Sequence, residues 1–220
     1  MIPLGDASRR TIHFPIITVL IILSNVAVFL QELVHGEAFI THWSVIPAHI
    51  MTGQDWITIL TAMFLHAGWI HILGNMLFLW AFGPQIEDVM GPLRYLGFYL
   101  LAGFAAMATQ ILAAPASSIP ILGASGAIAG VMGAFLATYP RDRIRTVLIL
   151  GIFVDIAFLP AILLVGIWFA TQVLSEVLAN SQMQVGGVAY MAHIGGFLFG
   201  LILNRIFKTR KGRMQKGLSA

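Results

Sequence analysis

One serine and one histidine stand out, because each is near the start of a hydrophobic stretch that could cross a membrane. Ser125 lies in the segment Gly-Ala-Ser-Gly at 123–126, and His193 lies in a later apolar stretch. A serine hydroxyl becomes a nucleophile when a base within hydrogen-bond reach takes its proton, and neutral imidazole is the usual base near neutral pH. Since polar side chains are costly in lipid, the pair predicts nucleophilic catalysis inside a membrane.

His71 and Asn75 are two further polar residues in an apolar stretch. Their i,i+4 spacing places them on one face of a helix. A tetrahedral intermediate needs hydrogen-bond donors for its oxyanion, and the His71 ring, the Asn75 amide and the backbone N–H of Ser125 are donors of this kind. The glycines that flank Ser125 allow a tight turn and close approach of a substrate backbone.

The composition is that of a membrane protein, since 59% of the 220 residues are hydrophobic and only 10% are charged. An α-helix needs about 20 residues to span about 30 Å of hydrocarbon. Several apolar segments approach or exceed this length, and they predict an all-α polytopic protein with one compact domain over residues 1–220. The six predicted transmembrane helices are 14–33, 68–86, 93–113, 123–139, 159–178 and 188–207.

The basic residues predict the orientation. All twelve Lys and Arg residues lie in the terminal segments or at helix ends that are separated from the N-terminus by an even number of predicted helices. They are therefore all on the same side of the membrane as the N-terminus. Because Lys and Arg mark the cytoplasmic side, we expect a multi-pass protein of the cytoplasmic (inner) membrane with both termini inside. The basic tail at 208–220 is expected to meet anionic lipid, and nucleic acid is not an expected partner.

This topology brings the polar residues to one leaflet. Predicted helices 2, 4 and 6 all enter from outside, so Ser125 lies within about a turn of the outer end of its helix, and His193 lies roughly 8 Å below the start of its own. His71 and Asn75 fall at a comparable depth. A transporter or channel would instead need polar groups through the full depth of the membrane, and here they stop in the outer half.

As a set, these residues resemble the rhomboid family of intramembrane serine proteases, in its prokaryotic six-helix type, over nearly the whole chain. The matching features are the segment around Ser125, Ala192-His193 followed by Gly195-Gly196, and His66, His71 and Asn75. The resemblance implies Ser125 as nucleophile and His193 as general base. It implies His71, Asn75 and the Ser125 N–H as oxyanion stabilisers, and a role for His66 in supporting the first outer loop.

The resemblance also implies a Ser–His dyad that uses no metal and no other cofactor. The expected partners are single-span transmembrane proteins, which such enzymes cut near a helix-destabilised segment with small residues around the scissile bond, and the lipid bilayer. An alternative is a catalytically inactive rhomboid-like protein that binds transmembrane segments. Proteins of that kind typically lose the serine or the histidine, and both are present here.

Two positions depart from the family pattern. Many rhomboids carry a Trp-Arg pair in the first outer loop, whereas here Trp56 is followed by Ile57 and Thr58. Some carry a tyrosine one turn after the nucleophile that stacks on the histidine, whereas this chain has Ala129. Other contacts must therefore anchor the loop and hold His193, and we expect a small-residue helix interface to contribute.

Small residues recur on two predicted helices at spacings typical of close helix contact, namely Gly126, Gly130 and Gly133 with Gly196 and Gly200. Substrate must enter such a bundle laterally, so one element has to move. The predicted fifth helix, with Gly166, Trp168 and Phe169, and the loop at 179–187 are the expected gate.

Two other patterns are weaker. His35, His42 and His49 recur every seven residues, which could suggest a metal site, but Gly36 and Pro47 interrupt the segment and favour surface histidines. Asp155 lies in an apolar run and makes the start of the fifth helix uncertain. It is also the one candidate for an intramembrane aspartate, whereas an aspartyl protease needs two.

Overall fold

The computed structural model describes residues 1–151, 153–179 and 189–209. Within these residues helices lie at the six predicted positions, five of them with 18 to 22 residues and one with 14, and short helices fill the connection between the first two. In chain order the helices are α1 (Ile16–His35), α2 (Glu37–Trp43), α3 (Pro47–Met51), α4 (Thr58–Thr61) with a 3-10 turn at Ala62–Phe64, α5 (Trp69–Met90), α6 (Pro92–Ala113), α7 (Ser125–Thr138), α8 (Ala161–Ala179) and α9 (Tyr190–Phe207).

The all-α prediction is wrong, because the described residues also form a three-stranded antiparallel sheet. Its strands, in spatial order, are β1 (Ile2–Asp6), β2 (Arg143–Leu150) and β3 (Phe153–Pro160). Side chains alternate along β2, so Ile144 and Thr146 are buried while Arg143 and Arg145 are exposed. Together, β2 and β3 are rich in β-branched and aromatic residues, which favour strands. Asp155 is exposed on β3, and the fifth long helix begins after it.

The long helices make this a mostly helical, multi-pass membrane protein. Among the described residues α1, α6, α8 and α9 are each long and apolar enough to cross a membrane, and α5 would add a fifth span together with the segment Thr58–Phe64, which is bent from it by 90°. The apolar helix α7 has 14 residues. At about 1.5 Å per residue it is about 21 Å long, shorter than the hydrocarbon layer.

Helix α7 is the centre of the bundle, since every residue from 126 to 135 is buried. It packs against α9 through glycines, with the two backbones in direct contact. A Cβ on Gly196 would overlap the carbonyl of Gly126, and a Cβ on Gly200 would overlap the carbonyl of Gly130. The small-residue interface predicted from the spacing is therefore present, and it brings the start of α7 close to the start of α9.

A carboxylate from α5 caps the first helix. The α1 N-cap, Pro15, makes no side-chain cap. Instead Glu87 accepts hydrogen bonds from the Ile17 N–H, the Thr18 N–H and the Thr18 hydroxyl, each at 2.8 Å. Negative charge is favourable at a helix N-terminus, so this contact explains a buried glutamate in an apolar helix and fixes α1 against α5.

The first turn of α8 is attached to the end of α7 and to the sheet. The Ala161 N–H donates to the Asp142 carbonyl at 2.8 Å, and the Ile162 N–H donates to the Pro140 carbonyl at 2.9 Å. Asp142 also forms an ion pair with Arg9, whose guanidinium lies 4.2 Å from the centre of the Tyr139 ring. This end of α8 is therefore fixed.

Candidate active site

Ser125 and His193 face each other across the α7–α9 interface. Ser125 is the first residue of α7, and His193 is in the first turn of α9. The Ser125 Oγ lies 2.8 Å from His193 Nε2, which is hydrogen-bond distance. The Gln110 side chain on α6 accepts a hydrogen bond from the Ala192 N–H at 3.1 Å and so fixes the start of α9. The pair can perform proton transfer from a serine hydroxyl to an imidazole.

Gly123 allows the chain to turn into α7. Its φ of +124° is in the region that favours glycine. Its N–H donates to the Ala62 carbonyl at 2.8 Å, which ties this turn to the outer loop. A Cβ at this position would lie 3.0 Å from His71 Nε2. The glycine therefore lets the His71 ring lie next to the start of α7, two residues from Ser125.

His71 and Asn75 supply hydrogen-bond donors at this point. His71 Nδ1 accepts a hydrogen bond from the Ala67 N–H at 3.2 Å, so the proton of the neutral ring is on Nε2, the nitrogen near Gly123. The Asn75 Nδ2 is buried and has no hydrogen-bond partner among the described residues. The first N–H groups of a helix lack intrahelical acceptors, and Ser125 opens α7. Three donors of the predicted kind thus belong to residues that line the same cavity.

The four residues border one cavity of about 1530 Å³, which is also lined by residues of α8 and of the connection before α7. From α8 the lining includes Trp168, Ser175 and Glu176, and from the connection it includes Ser117 and Pro120. The cavity is large enough for an extended peptide segment together with water. Within the described residues no group of three or more His, Cys, Asp and Glu side chains could hold a metal ion.

The outer loop is attached to the bundle behind His71. The His66 N–H donates to Glu32 Oε1 at 3.0 Å, and both residues are buried. The His66 ring meets the His71 ring edge-on, with 5.1 Å between centroids. His66 thus connects α1 to the residue beside the candidate oxyanion position.

The loop is anchored without an arginine after Trp56. Trp56 and Ile57 are exposed. The Thr61 hydroxyl donates to the Trp43 carbonyl at 2.9 Å, and Val45 and Ile121 exchange two backbone hydrogen bonds at 3.0 and 2.7 Å. Contacts to the backbone therefore hold the loop.

Helix α8 holds His193 from the side opposite to Ser125. The Trp168 ring lies 5.9 Å from the His193 ring, and Gln172 Oε1 lies 2.8 Å from His193 Nδ1. Ala129, where some relatives have a tyrosine, is fully buried in α7. Sequence reasoning missed Gln172. Its signal was a polar side chain in an apolar helix, but its partner depends on how two helices pack.

The remaining predicted features are separate from this site. His35, His42 and His49 are exposed. His35 Nδ1 is bonded to the Gln31 carbonyl and His49 Nδ1 to Asp55. Of the predicted gate, α8 borders the cavity, whereas the loop at 179–187 lies outside the described residues except for residue 179.

Comparison with known proteins reveals the same similarity over most of the chain. The family model described as Rhomboid domain matches residues 53–210. The chain is 29% identical over 206 residues to Rhomboid protein 1, mitochondrial, of Saccharomyces cerevisiae, which covers 87% of this chain and 54% of that protein. It is 37% identical over 89 residues to Rhomboid protease GluP of Bacillus subtilis, which covers 40% of this chain and 17% of that protein.

A third relative is Presenilin-associated rhomboid-like protein, mitochondrial, of Rattus norvegicus. The identity is 30% over 148 residues, which covers 64% of this chain and 36% of that protein. The matched region thus spans about half the length of the yeast relative and less of the other two.

Proposed function

Because the chain belongs to the rhomboid family, we propose that it is an intramembrane serine endopeptidase that cleaves transmembrane segments of single-span membrane proteins. The observation that carries the proposal is the 2.8 Å contact between Ser125 Oγ and His193 Nε2 at the edge of a large cavity. Both groups are on helices of a membrane-spanning bundle, where a polar pair needs a functional reason.

In the proposed reaction Ser125 Oγ attacks the carbonyl carbon of the scissile peptide while His193 Nε2 takes the hydroxyl proton. The carbonyl oxygen becomes an oxyanion, which accepts hydrogen bonds from His71 Nε2, Asn75 Nδ2 and the Ser125 N–H. His193 then gives its proton to the leaving amine as the C–N bond breaks, which leaves an acyl-enzyme. Water then attacks the ester carbonyl while His193 takes a proton from it. His193 gives this proton to Ser125 Oγ as the ester bond breaks, which releases the carboxyl product and restores the Ser125 hydroxyl.

The proposed membrane arrangement has six spans, namely α1, α5, α6, α7, α8 and α9. Both termini and the basic clusters, including Arg141, Arg143 and Arg145, are then on the cytoplasmic side of an inner membrane. Helix α7 is shorter than the hydrocarbon layer, and Ser125 is its first residue. With the C-terminal end of α7 at the cytoplasmic surface, Ser125 therefore lies below the outer surface of the membrane. Water then reaches Ser125 through the cavity, and substrate enters from the lipid.

The test is cleavage of a single-span membrane protein by the purified full chain in liposomes. Ser125→Ala and His193→Ala are compared with the matched controls Ser24→Ala and His42→Ala, which replace exposed residues of α1 and α2. We expect cleavage by the wild type and both controls and none by either site variant, with all five proteins equally folded by circular dichroism. Cleavage that survived Ser125→Ala would refute the assignment.

A second readout does not depend on the choice of substrate. A fluorophosphonate probe reacts with an activated serine, so Ser125 should be labelled in the wild type and should lose labelling in His193→Ala. Labelling without cleavage of several substrates would indicate narrow specificity. Absence of both labelling and cleavage would favour the inactive relative that binds transmembrane segments.

A further inference from the structure

Both ring nitrogens of His193 have partners, and they come from different helices. Nε2 lies 2.8 Å from Ser125 Oγ on α7, and Nδ1 lies 2.8 Å from Gln172 Oε1 on α8. A neutral imidazole carries one proton, so Nε2 can accept from serine only when Nδ1 carries the proton. An acceptor opposite Nδ1 therefore selects the tautomer in which His193 is a base toward Ser125.

The direction of the Gln172 amide is fixed by its own helix. Its Nε2 lies 3.3 Å from the Trp168 carbonyl oxygen and 3.1 Å from the Thr171 hydroxyl. A carbonyl oxygen can only accept, so the NH₂ side of the amide faces Trp168 and the oxygen side faces His193. Thr171 donates its own proton to the Trp168 carbonyl at 2.6 Å, which leaves the hydroxyl oxygen free to accept from Gln172.

The surroundings of His193 make this acceptor important. His193 is buried, at 8% exposure, so its ring is held mainly by contacts with other residues. The Trp168 ring is tilted by 38° against the imidazole, and the α7 side offers only Ala129 one turn after the serine. The Trp168 contact and the hydrogen bond to Nδ1 thus both come from α8, while Tyr190 at the start of α9 meets the ring edge-on with 6.5 Å between centroids.

We propose that Gln172 is a positioning residue for the reaction, which holds His193 in the tautomer and orientation that activate Ser125. This inference rests on the proposed function of the same site. It has a further consequence, since Gln172 and Trp168 are on the helix that borders the cavity. An outward shift of α8 removes both supports from His193, so the base is competent when α8 lies against α9.

Three substitutions of Gln172 distinguish the loss of a hydrogen-bond acceptor from the loss of side-chain packing. Gln172→Leu keeps a similar volume without an acceptor, and Gln172→Asn keeps the amide but is one methylene too short. Gln172→Glu retains an oxygen at the same reach. We expect kcat to fall about 10- to 100-fold in the leucine and asparagine variants with little change in KM, and to recover most of the wild-type value in the glutamate variant. Gln31→Leu, an exposed position of α1, is the matched control and should behave as wild type.

The second measurement is nitrogen-15 NMR of the histidine ring nitrogens in detergent micelles, with the His193 signals assigned from their loss in His193→Ala. The wild type should have a protonated Nδ1 and an unprotonated Nε2, and Gln172→Leu should show a mixture of tautomers. Wild-type kcat in Gln172→Leu, or His193 signals that do not change in it, would refute the positioning role. A wild type without protease activity would instead refute the proposed function, and the NMR comparison would still test the contact.

Discussion

The two walls of the cavity are built differently. On the α7–α9 side every residue of α7 from 126 to 135 is buried, and glycines bring the two backbones into contact. On the α8 side much of the apolar surface is open, and the buried share of the candidate span is 22%, compared with 33% for α9. Large exposed side chains run along the whole of α8, namely Ile162, Leu163, Ile167, Val173, Leu174, Val177 and Leu178.

The two ends of α8 also differ in their contacts with the rest of the protein. Its first turn is hydrogen-bonded to residues 140 and 142, and near its middle Phe169 stacks on Phe197 with 4.2 Å between ring centroids. Beyond Gln172 the helix borders the cavity through Ser175 and Glu176. The α7–α9 wall thus positions the serine and the histidine, and we propose, together with the proposed function, that the second half of α8 moves to admit a transmembrane substrate.

The largest expected effect comes from glycines on the two walls. Gly200→Ala should destabilise the protein by more than about 3 kcal/mol or prevent folding, because its Cβ would overlap the Gly130 backbone, which cannot move away cheaply. Gly166→Ala on α8 has no atom within 4 Å of the new Cβ, so it should be neutral or stabilising by about 0.5–1 kcal/mol. Thermal unfolding in detergent measures both. Equal destabilisation by the two changes would show that α8 is packed as tightly as the α7–α9 wall.

The second prediction tests movement of α8 directly. The chain has no cysteine, so Gly74→Cys on α5 and Ser175→Cys on α8 can be joined by a bifunctional reagent whose length matches the width of the cavity they both border. A Cβ at Gly74 meets no atom within 4 Å. The linked enzyme should lose cleavage of a transmembrane substrate and keep labelling of Ser125 by a small probe, because only the large substrate needs α8 to move.

The controls for this experiment are the two single-cysteine variants treated with the same reagent, which should keep full cleavage. Full cleavage by the linked protein would show that substrate enters elsewhere. Loss of probe labelling together with cleavage would indicate that the link distorts the site itself.

The third prediction concerns the outer loop, which belongs to the fixed side of the cavity. Glu32→Leu removes the acceptor of the buried His66 N–H, which should cost about 1–3 kcal/mol of unfolding free energy. Glu32→Gln retains the oxygen and should cost much less. Denaturant unfolding followed by tryptophan fluorescence gives the values. A leucine variant as stable as the glutamine variant would mean that this hydrogen bond does not hold the loop.

The sequence predicted the parts of the molecule whose signals are local. The six long helices follow from apolar length, and Ser125, His193, His71 and Asn75 are conspicuous because polar residues are rare in apolar segments. The structure brings these four residues to one cavity. Their catalytic roles remain a prediction that the variants above test.

The parts that were missed depend on tertiary structure or on an ambiguous signal. An apolar strand and an apolar helix look alike when the whole chain is hydrophobic, so β2 and nearly all of β3 fall in the connection before the predicted helix 159–178, although Val147, Ile149, Val154 and Ile156 favour strands. Gln172 could be noticed in the sequence, but its contact with His193 follows from the crossing of α8 and α9. Helix α7 begins just after the turn at Gly123 and ends at Thr138, two residues before Pro140.

The smallest expected effect concerns Asp6 at the end of β1, the edge strand that pairs with β2. Burial raises the pKa of Asp6 from 3.8 to about 6, while Asp6 Oδ1 accepts a 2.7 Å hydrogen bond from the Ser8 N–H. Between these two pH values the folded chain binds more protons at Asp6 than the unfolded chain, so this residue makes stability fall as pH rises from about 4 to about 6.

Asp6→Asn should therefore stabilise the protein at pH 7 and lose this advantage below about pH 4, where Asp6 is protonated in both states. The gain should stay below about 1 kcal/mol, because the side chain is partly exposed and solvent screens its charge. Thermal unfolding at pH 4, 5, 6 and 7 measures it, with Asp155→Asn on exposed β3 as the matched control. A gain that did not depend on pH would mean that Asp6 acts through packing and not through its charge.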